Sequence, residues 1–335
     1  MRAVSLQRPG HAEVVNLSEP VRRSGELFLR VEMVGLCGTD LNSFRGRNPL
    51  VTFPRVIGHE IAATVIEGSA NVPAGTRVTV SPYTSCGFCA SCLDGRFNAC
   101  RDNQTFGVQR DGAMTEWLSV PEEKVYASSL SLKELCIVEP LTVGVHAVSR
   151  GRVTSKDIVA VFGCGGVGLG SIAGAAFRGA RTIAIDVDDT KLDTARAAGA
   201  TDVIHSMNED VHERLQQITD GHGPSIVIEA IGLPETFVAA VEEVAFTGRV
   251  VYIGYAKQPV TFDTRLFVQK EMDVMGSRNA LPEDFREVIA MLEAGRFPVN
   301  EAVSTLISMD EVPSTLEQWS ESPARFRKIM VQVAG

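Results

Sequence analysis

The chain has 335 residues, of which 44% are hydrophobic and 22% charged, so it is long enough for about two globular domains. Its formal net charge of −9 leaves no basic surplus to neutralise phosphates, which argues against a nucleic-acid partner. The first ten residues lack the apolar core of a signal peptide, and seven cysteines, four of them crowded between residues 86 and 100, suit a reducing compartment.

We therefore expect a cytoplasmic protein that is not inserted in a membrane. The stretch up to about Glu139 is predicted to be β-rich, with strands at 1–6, 27–36 and 61–67 separated by Gly and Pro turns. From about residue 141 to 276 strands and helices alternate, which predicts an α/β domain built on a doubly wound parallel sheet. The tail is expected to return to the first domain. The predicted boundaries are thus 1–142 with 277–335, and 143–276.

Three short segments carry residues that metals prefer. They are Cys37-Gly38-Thr39-Asp40, Gly58-His59-Glu60 and Glu139-Pro140. One thiolate, one imidazole and one or two carboxylates make three or four ligands, which would leave room on a metal ion for water or substrate. A lone Cys or His is more often part of a core than a ligand, so the residues by themselves leave a catalytic metal and a packing role equally open.

A cysteine lobe follows the second of these segments, with Cys86, Cys89, Cys92 and Cys100 spaced by three, three and eight residues. Four thiolates so close together on a Gly-containing loop suit a tetrahedral zinc site. Because four ligands leave no position open, that zinc would be structural. The alternatives are four free thiols in a loop and an iron–sulfur cluster.

A glycine turn opens the second predicted domain. The apolar strand 158–162 leads into Gly163, Cys164, Gly165, Gly166, Val167 and Gly168, and then into a helix of small residues. Gly163 permits the turn, Gly165 lets the backbone approach a pyrophosphate, and Gly168 lets the helix pack closely on its strand. The helix N-terminus offers unpaired N–H groups to the phosphates. We therefore assign Gly163, Gly165, Gly166, Val167 and Gly168 to cofactor binding.

Asp186 ends the next strand, eighteen residues after Gly168. A carboxylate there would bind the adenosine ribose hydroxyls and repel a 2′-phosphate, which favours NAD over NADP. Two other interpretations remain. The window from Ile158 to Phe177 has no charged residue and is long enough for a membrane span. The second alternative is that the glycines serve only a structural turn.

These motifs, taken in order, resemble those of the zinc-dependent medium-chain dehydrogenases, which include alcohol, sorbitol and threonine dehydrogenases. The segments that match are CGTD at Cys37, GHE at Gly58, the cysteine lobe, DGAMTEW at Asp111, EPL at Glu139 and GCGGVG at Gly163. The match runs nearly end to end. It is closer to the polyol, sugar-acid and threonine branch, which has Glu at the position of Glu139 where liver-type alcohol dehydrogenases have Cys. The resemblance implies a GroES-like catalytic domain and a Rossmann domain.

The resemblance also implies roles for individual residues. Cys37 and His59 would bind a catalytic zinc ion, joined by Glu60 or Glu139, two carboxylates that exchange places in the family. Thr39 matches the hydroxyl that removes the alcohol proton, and capping or turn formation beside Gly38 is the less favoured alternative. Zinc would lower the pKa of the alcohol, and a hydride would pass to NAD. With the zinc of the cysteine lobe, two zinc ions per chain are expected.

The chain departs from the family at Asn42, where many relatives have a histidine that passes the proton to solvent. Asn does not titrate near neutral pH, so the proton must leave through water, the ribose hydroxyls or a carboxylate. In the family the segment 43–49 forms one wall of the substrate cleft. Asn42, Arg45 and Arg47 are therefore candidate substrate contacts. The two arginines could bind a sugar carboxylate or a phosphate, or be solvated loop charges.

The leading hypothesis is an NAD-dependent, zinc-dependent dehydrogenase of a polyol or sugar acid. The rivals are an L-threonine dehydrogenase, a dehydrogenase of simple secondary alcohols, and a catalytically idle NAD(H)-binding sensor with one zinc. A homodimer or homotetramer is expected, because the strand from Arg249 to Ile253 near the end of the sheet could pair with its copy. A covering element within the same chain is the alternative.

Overall fold

A computed structural model describes residues 1–333 and divides the chain into two compact units. The first unit comprises residues 1–139 and the segment from residue 299 onward, and the second comprises 140–298.

In chain order, the strands are β1 (Arg2–Arg8), β2 (His11–Asn16), β3 (Glu26–Leu36), β4 (Arg55–Val56), β5 (Glu60–Glu67), β6 (Arg77–Val80), β7 (Tyr83–Thr84), β8 (Gln104–Thr105), β9 (Trp117–Pro121), β10 (Val125–Ala127), β11 (Ile158–Phe162), β12 (Arg181–Asp186), β13 (Asp202–His205), β14 (Ile226–Glu229), β15 (Arg249–Tyr252), β16 (Asp273–Gly276), β17 (Thr305–Ser308) and β18 (Ile329–Gln332). The α-helices are α1 (Gly38–Phe44), α2 (Ala90–Leu93), α3 (Leu132–Arg150), α4 (Gly166–Phe177), α5 (Asp189–Ala197), α6 (Val211–Ile218), α7 (Pro234–Glu243), α8 (Arg265–Gln269), α9 (Pro282–Glu293), α10 (Val299–Ala302) and α11 (Val312–Glu321). Short 3-10 helices lie at Phe97–Ala99, Glu122–Lys124, Met309–Glu311 and Pro323–Arg325.

The first unit is β-rich, as the sequence predicts. Its main sheet has the strand order β10-β6-β5-β3-β18-β17, and β9 also pairs with β3. Along β3, buried Leu27, Leu29 and Val31 alternate with more exposed residues, which is the pattern of a strand with one face on a core. The register pairs Gly35 with Glu60 and Leu36 with Ile329. The start of α1, the start of β5 and the residue before β18 therefore meet at one end of this sheet.

The second unit contains a parallel sheet with the strand order β13-β12-β11-β14-β15-β16. The chain moves outward from β11 to β13 and then returns to β14 on the other side of β11. This is the predicted doubly wound topology, with its switch point between β11 and β14. Strands β11 and β14 are almost continuously apolar and buried, as expected for a parallel sheet that is covered on both faces.

Helix α3 corrects the expectation that residues up to Glu139 form strands and turns. It has 19 residues with Pro140 inside it, although proline cannot donate to the carbonyl four residues earlier and usually ends a helix. Close packing of α3 against α4 compensates for the hydrogen bond that Pro140 cannot make. A Cβ atom on Gly144 would lie 2.3 Å from the Ser171 nitrogen, and one on Gly170 would lie 2.6 Å from the Leu141 carbonyl oxygen.

Helix α9 belongs to the second unit, so the boundary expected at residue 277 is wrong. Arg178, just after α4, donates from Nε and Nη2 to the two carboxylate oxygens of Glu287 at 2.7 Å each. The buried His146 Nδ1 lies 2.8 Å from Asp284 Oδ2. These pairs fix α9 beside α3 and α4. The sequence ends the alternating pattern at residue 276 but does not reveal where the next helix packs.

The strand that begins at Arg249, for which the sequence left open pairing with its copy or a covering element in the same chain, is covered. Strand β15 lies between β14 and β16, so residues 249–252 have a neighbour on each side. Strand β16, which the sequence analysis does not predict, is the outermost strand on that side and pairs only with β15 within residues 1–333. Asp273 and Val274 of β16 are exposed.

No helix within residues 1–333 is both long and apolar enough to cross a membrane. The uncharged window from Ile158 to Phe177 divides into β11, the glycine turn and α4. The interpretation of this window as a single membrane-spanning helix is therefore wrong.

Candidate metal centres and glycine turn

Cys37 is the N-cap of α1. Its backbone N–H donates to Asp40 Oδ2 at 2.9 Å, and its Sγ accepts from the Thr39 N–H at 3.3 Å. The two contacts form a reciprocal capping box, which explains why the helix begins here. A cysteine binds a metal ion through its sulfur as the thiolate.

His59 is buried, with 5% of its surface exposed, and its Nδ1 has no hydrogen-bond partner among the described residues. Asp40 Oδ1 lies 3.8 Å from this Nδ1 and accepts from the Gly58 N–H at 3.3 Å. Burial opposes a charge on the imidazole, but the negative charges of Asp40 and Cys37 outweigh it, so the pKa of His59 lies well above its usual value. A buried nitrogen without a partner among anionic groups is suited to a cation.

Glu60 is 1% exposed and contacts Lys328. The Lys328 Nζ donates to Glu60 Oε2 and, at 3.3 Å, to the Leu36 carbonyl oxygen. Burial acts against the charge on the ammonium group, but Glu60 outweighs burial and raises the pKa of Lys328. This lysine is 268 residues from Glu60 in the chain, and β18 brings it there.

Glu139 is 4% exposed and accepts a hydrogen bond from the hydroxyl of Tyr83. Burial raises the pKa of Glu139, His59 opposes that shift, and the charge of Glu60 adds to it. Burial also raises the pKa of Tyr83 well above its usual value, and Glu139 raises it further. The phenol therefore stays protonated and remains a donor.

These side chains form two overlapping groups that could hold a metal ion. Cys37, Asp40 and His59 offer ligand atoms within 4.8 Å of one another, and so do His59, Glu60 and Glu139. All of these residues lie in the first unit. Sulfur, nitrogen and carboxylate oxygen are the donor set that zinc accepts at sites with an open position. The structure thus brings together the dispersed metal residues that the sequence predicts.

The cysteine lobe gathers Cys86, Cys89, Cys92 and Cys100 with their sulfur atoms within 4.8 Å of one another. The Cys89 sulfur lies 3.5 Å from that of Cys92 and 3.8 Å from that of Cys100. A tetrahedral zinc with bonds of about 2.3 Å places its sulfurs about 3.8 Å apart. This spacing fits a single ion. It does not fit a cluster that binds each thiolate to a different iron.

Local hydrogen bonds already favour a thiolate in the lobe. The Ser91 hydroxyl and two backbone groups lower the pKa of Cys89 to about 5, while burial raises that of Cys92 to about 11. Backbone N–H groups of Cys86 and Cys89 donate to the sulfurs of Cys100 and Cys86, at 3.3 and 3.4 Å. Within residues 1–333 no cysteine forms a disulfide.

The glycine turn between β11 and α4 has the geometry that the sequence predicts. Gly163 has a φ of 96°, which favours glycine, and a Cβ on Gly168 would lie 1.8 Å from the Gly163 carbonyl oxygen. A Cβ on Gly165 or Gly166 would meet nothing within 4 Å. Gly165 is the N-cap of α4, and Val167 lies in its first turn. The turn thus presents open space in front of unpaired helical N–H groups, as a phosphate requires.

Asp186 lies at the end of β12, next to this turn. Its Oδ2 accepts from the Cys164 N–H at 2.8 Å, and its Oδ1 accepts from the Val187 N–H at 2.8 Å. Lys191 Nζ is 3.6 Å from Oδ1. These contacts fix the carboxylate where a ribose of a dinucleotide would be recognised.

The three candidate substrate contacts differ in their surroundings. Arg45 donates from Nε to Ser320 Oγ at 3.0 Å and from Nη2 to the Ser320 carbonyl oxygen, at the end of α11. These bonds give Arg45 a structural role. Asn42 and Arg47 are exposed. Thr39 is half-buried in the first turn of α1.

The sequence analysis assigns no role to Asp40, Tyr83 or Lys328, which surround the metal-binding residues. For Asp40 a signal exists, since an acidic residue three positions after an N-cap completes a capping box. No local pattern identifies Tyr83 or Lys328, because only the fold brings them to the site.

Comparison with known proteins supports the same picture. The sequence model described as "Zinc-binding dehydrogenase" matches residues 166–294, and that described as "Alcohol dehydrogenase GroES-like domain" matches residues 23–129. An uncharacterised zinc-type alcohol dehydrogenase-like protein of Haemophilus influenzae is 32% identical over 98% of each chain. The L-galactonate-5-dehydrogenase of Escherichia coli K12 is 30% identical over 88% of each chain.

Two solved structures share the fold over their whole length. A zinc-binding dehydrogenase from Sinorhizobium meliloti, bound to NADP, has a TM-score of 0.91 and 29% identity, and covers 99% of each chain. An alcohol dehydrogenase from Escherichia coli CFT073, in complex with NADH, has a TM-score of 0.90 and 25% identity, with the same coverage.

Proposed function

The chain belongs to the zinc-dependent medium-chain dehydrogenase family, and from that premise we propose that it oxidises a secondary alcohol of a polyol or sugar acid with NAD as the hydride acceptor. One observation carries the proposal: a half-buried thiol, a buried imidazole and two buried carboxylates gather at one end of the first unit. The idle-sensor alternative is not favoured, because a protein that only bound NAD(H) would have no need of these ligands.

Zinc fits this site by the chemistry of its donors. Cys37 and His59 would hold it together with Glu60 or Glu139. When bound, zinc supplies a Lewis acid that lowers the pKa of an alcohol. The chain supplies the rest of the site: the Asp40 carboxylate lies 3.8 Å from the His59 Nδ1, and Tyr83 donates a hydrogen bond to the Glu139 carboxylate. A second zinc on the cysteine lobe would be structural.

Thr39 is the residue that we propose to accept the proton of the alcohol. Its backbone N–H donates to Cys37 Sγ at 3.3 Å, so Thr39 is next to this candidate zinc ligand in the first turn of α1. Asn42, one turn further and exposed, cannot carry a proton near neutral pH. The proton would therefore pass to water, to the ribose hydroxyls of NAD or to a carboxylate.

NAD is proposed over NADP because Asp186 would place a negative charge against a 2′-phosphate. The pyrophosphate would lie before the N-terminus of α4, in the space that Gly165 and Gly166 leave open. Since one related structure holds NADH and another NADP, both cofactors need to be tested.

The proposed substrate is polyhydroxylated. Arg47 is exposed beside α1 and could bind a carboxylate or phosphate, and one relative is an L-galactonate dehydrogenase. L-Threonine and simple secondary alcohols are the alternatives. We also propose a homodimer or homotetramer that pairs through the outer edge of β16, and a cytoplasmic location that suits the free cysteines.

The test measures NADH formation with polyols, aldonates, L-threonine and short secondary alcohols, using metal-replete and chelator-treated protein. Turnover of a polyol or aldonate that the chelator abolishes and zinc restores is the expected result. A Cys37→Ser variant should lose that turnover, whereas Lys156→Met, at an exposed lysine of the second unit, is the control. Turnover of L-threonine alone would contradict the proposed substrate class. The absence of any turnover while two zinc ions per chain are bound would also contradict it.

The same protein preparation tests the proposed cofactor and the proposed oligomeric state. Kinetics with NADP in place of NAD examines cofactor choice, and light scattering gives the mass of the assembly. One zinc per chain together with NADH binding and no turnover would favour the sensor.

A further inference from the structure

We propose that Lys328 is a positioning residue that competes with the bound metal ion for the carboxylate of Glu60. The inference deepens the proposed function and rests on it in one respect only, namely that a metal ion occupies the site. It requires no particular substrate.

The contact between the two residues is buried and anchored. Lys328 Nζ donates to Glu60 Oε2, with side-chain exposures of 11% and 1%, respectively. The same ammonium group donates to the Leu36 carbonyl oxygen at 3.3 Å. Water screens a buried ion pair poorly, so the attraction between these charges is stronger than at the surface. The second bond holds the ammonium group in place.

Gly35 leaves the space in which this carboxylate lies. It faces Glu60 across the β3–β5 pairing, and a Cβ at residue 35 would lie 1.8 Å from Glu60 Oε2. Any larger residue would move the carboxylate away from Lys328. The glycine and the lysine thus act together on one oxygen atom.

The same carboxylate is also within reach of a metal ion. His59, Glu60 and Glu139 offer ligand atoms within 4.8 Å of one another. When ionised, Cys37, Glu60 and Glu139 carry three negative charges, of which a divalent ion balances two, and the buried Asp40 beside His59 adds a fourth. Lys328 balances the third, so Glu60 need not bind the metal to have a counter-ion. A ligand position therefore stays available to the substrate.

Replacing the lysine should consequently strengthen metal binding, whereas loss of a merely structural residue would weaken it. We would compare the wild type, Lys328→Met and Lys328→Arg as zinc-loaded proteins without substrate. Zinc retained against dipicolinate would be measured by mass spectrometry. In Lys328→Met, the zinc ion that dissociates more readily should be retained on the order of tenfold more tightly than in the wild type. In a separate assay with substrate, the kcat of this variant should fall. Lys328→Arg should behave as the wild type in both measurements. Lys156→Met, at an exposed lysine, is the matched control.

Two further variants complete the test. Adding Glu60→Gln to Lys328→Met should remove the gain in retention, and a gain that persists without the carboxylate overturns the proposal. Equal or faster zinc loss from folded Lys328→Met also overturns it. Gly35→Ala, which keeps the lysine, should show the same tighter retention of zinc. This variant replaces Lys328→Met in the test if Lys328→Met does not fold. Zinc confined to the cysteine lobe of the wild type would refute this proposal and the proposed function together, whereas a wrong substrate would leave the retention result intact.

Discussion

The hydroxyl of Tyr83 donates a hydrogen bond to the carboxylate of Glu139, and both side chains are buried. A neutral phenol orients this carboxylate, whereas a lysine charge holds Glu60. The two carboxylates beside His59 are thus held by partners of different charge.

Tyr83→Phe should therefore weaken metal binding, in contrast to Lys328→Met. Removal of a hydrogen bond that orients a ligating carboxylate typically costs on the order of tenfold in metal affinity. The measurement is zinc retention against a chelator, with Tyr255→Phe, at a tyrosine that is 78% exposed, as the control. Unchanged retention in Tyr83→Phe would show that the hydrogen bond does not support a metal ligand.

Two glycines of the turn should respond differently to alanine. In Gly168→Ala the new Cβ would lie 1.8 Å from the Gly163 carbonyl oxygen, so we expect a loss of about 1–3 kcal/mol in the free energy of unfolding. In Gly165→Ala the Cβ points into open space, so stability should be kept while NADH binding weakens. Urea unfolding and NADH fluorescence titration measure the two effects. If Gly165→Ala bound NADH with the affinity of the wild type, the pyrophosphate would not lie at this position.

Asp186→Asn should shift cofactor choice toward NADP. The carboxylate is next to the turn, and like charges in contact cost several kcal/mol, so removing its charge should raise kcat/KM for NADP relative to NAD by at least about tenfold. Asp188→Asn is the control, since Asp188 caps α5 through the Thr190 and Lys191 N–H groups. An equal change of the ratio in both variants would argue against a specific role for Asp186.

Lys270 is expected to stabilise the second unit. Its Nζ donates to the Val241, Glu242 and Val244 carbonyl oxygens at the end of α7, and the residue is 9% exposed. Lys270→Met would leave these acceptors without their donor, which should cost about 1–3 kcal/mol in the free energy of unfolding. Lys156→Met, measured in the same urea titrations, should cost nothing measurable. Equal stability of the two variants would contradict the capping role.

His212 provides a test by pH. The Glu243 carboxylate accepts a hydrogen bond from His212, and this bond, followed by the charge of Glu243, raises the pKa of His212, with smaller contributions from Asp210 and Glu213. Because the folded-state pKa is raised, the stabilisation is complete below the unfolded-state value of about 6.5 and is lost as the pH rises through the folded-state value. The pair is partly exposed, so we expect about 0.2–1 kcal/mol. His212→Gln should be less stable than the wild type at about pH 5.5 and equal to it at about pH 9. A difference that is constant with pH would rule out the ion pair.

Local patterns in the sequence were sufficient for several features. The glycine spacing predicts the turn before α4 because each glycine meets a steric condition set within a few residues. The cysteine lobe is predicted for the same reason, since its four sulfurs come from one short loop. The β-rich first unit, the doubly wound sheet and the family all follow from periodicity and motif order, and the structure and comparisons confirm them.

Tertiary structure decided what distant contacts control. Helix α3 continues through Pro140 because Gly144 and Gly170 allow it to pack against α4. Strand β15 is internal because β16 follows it in the sheet. Arg45 donates a hydrogen bond to Ser320, although its position in the sequence suggests a substrate contact.

The surroundings of the metal residues depend on the fold most of all. Residue types and motif order identified Cys37, His59, Glu60 and Glu139, since the chemistry of a ligand belongs to its own side chain. Tyr83 and Lys328 carry no such signal, because their roles arise only where strands distant in the chain pair and place a donor beside a buried carboxylate. The sequence thus determined which atoms could bind a metal, and the strand pairing decided which charges surround them.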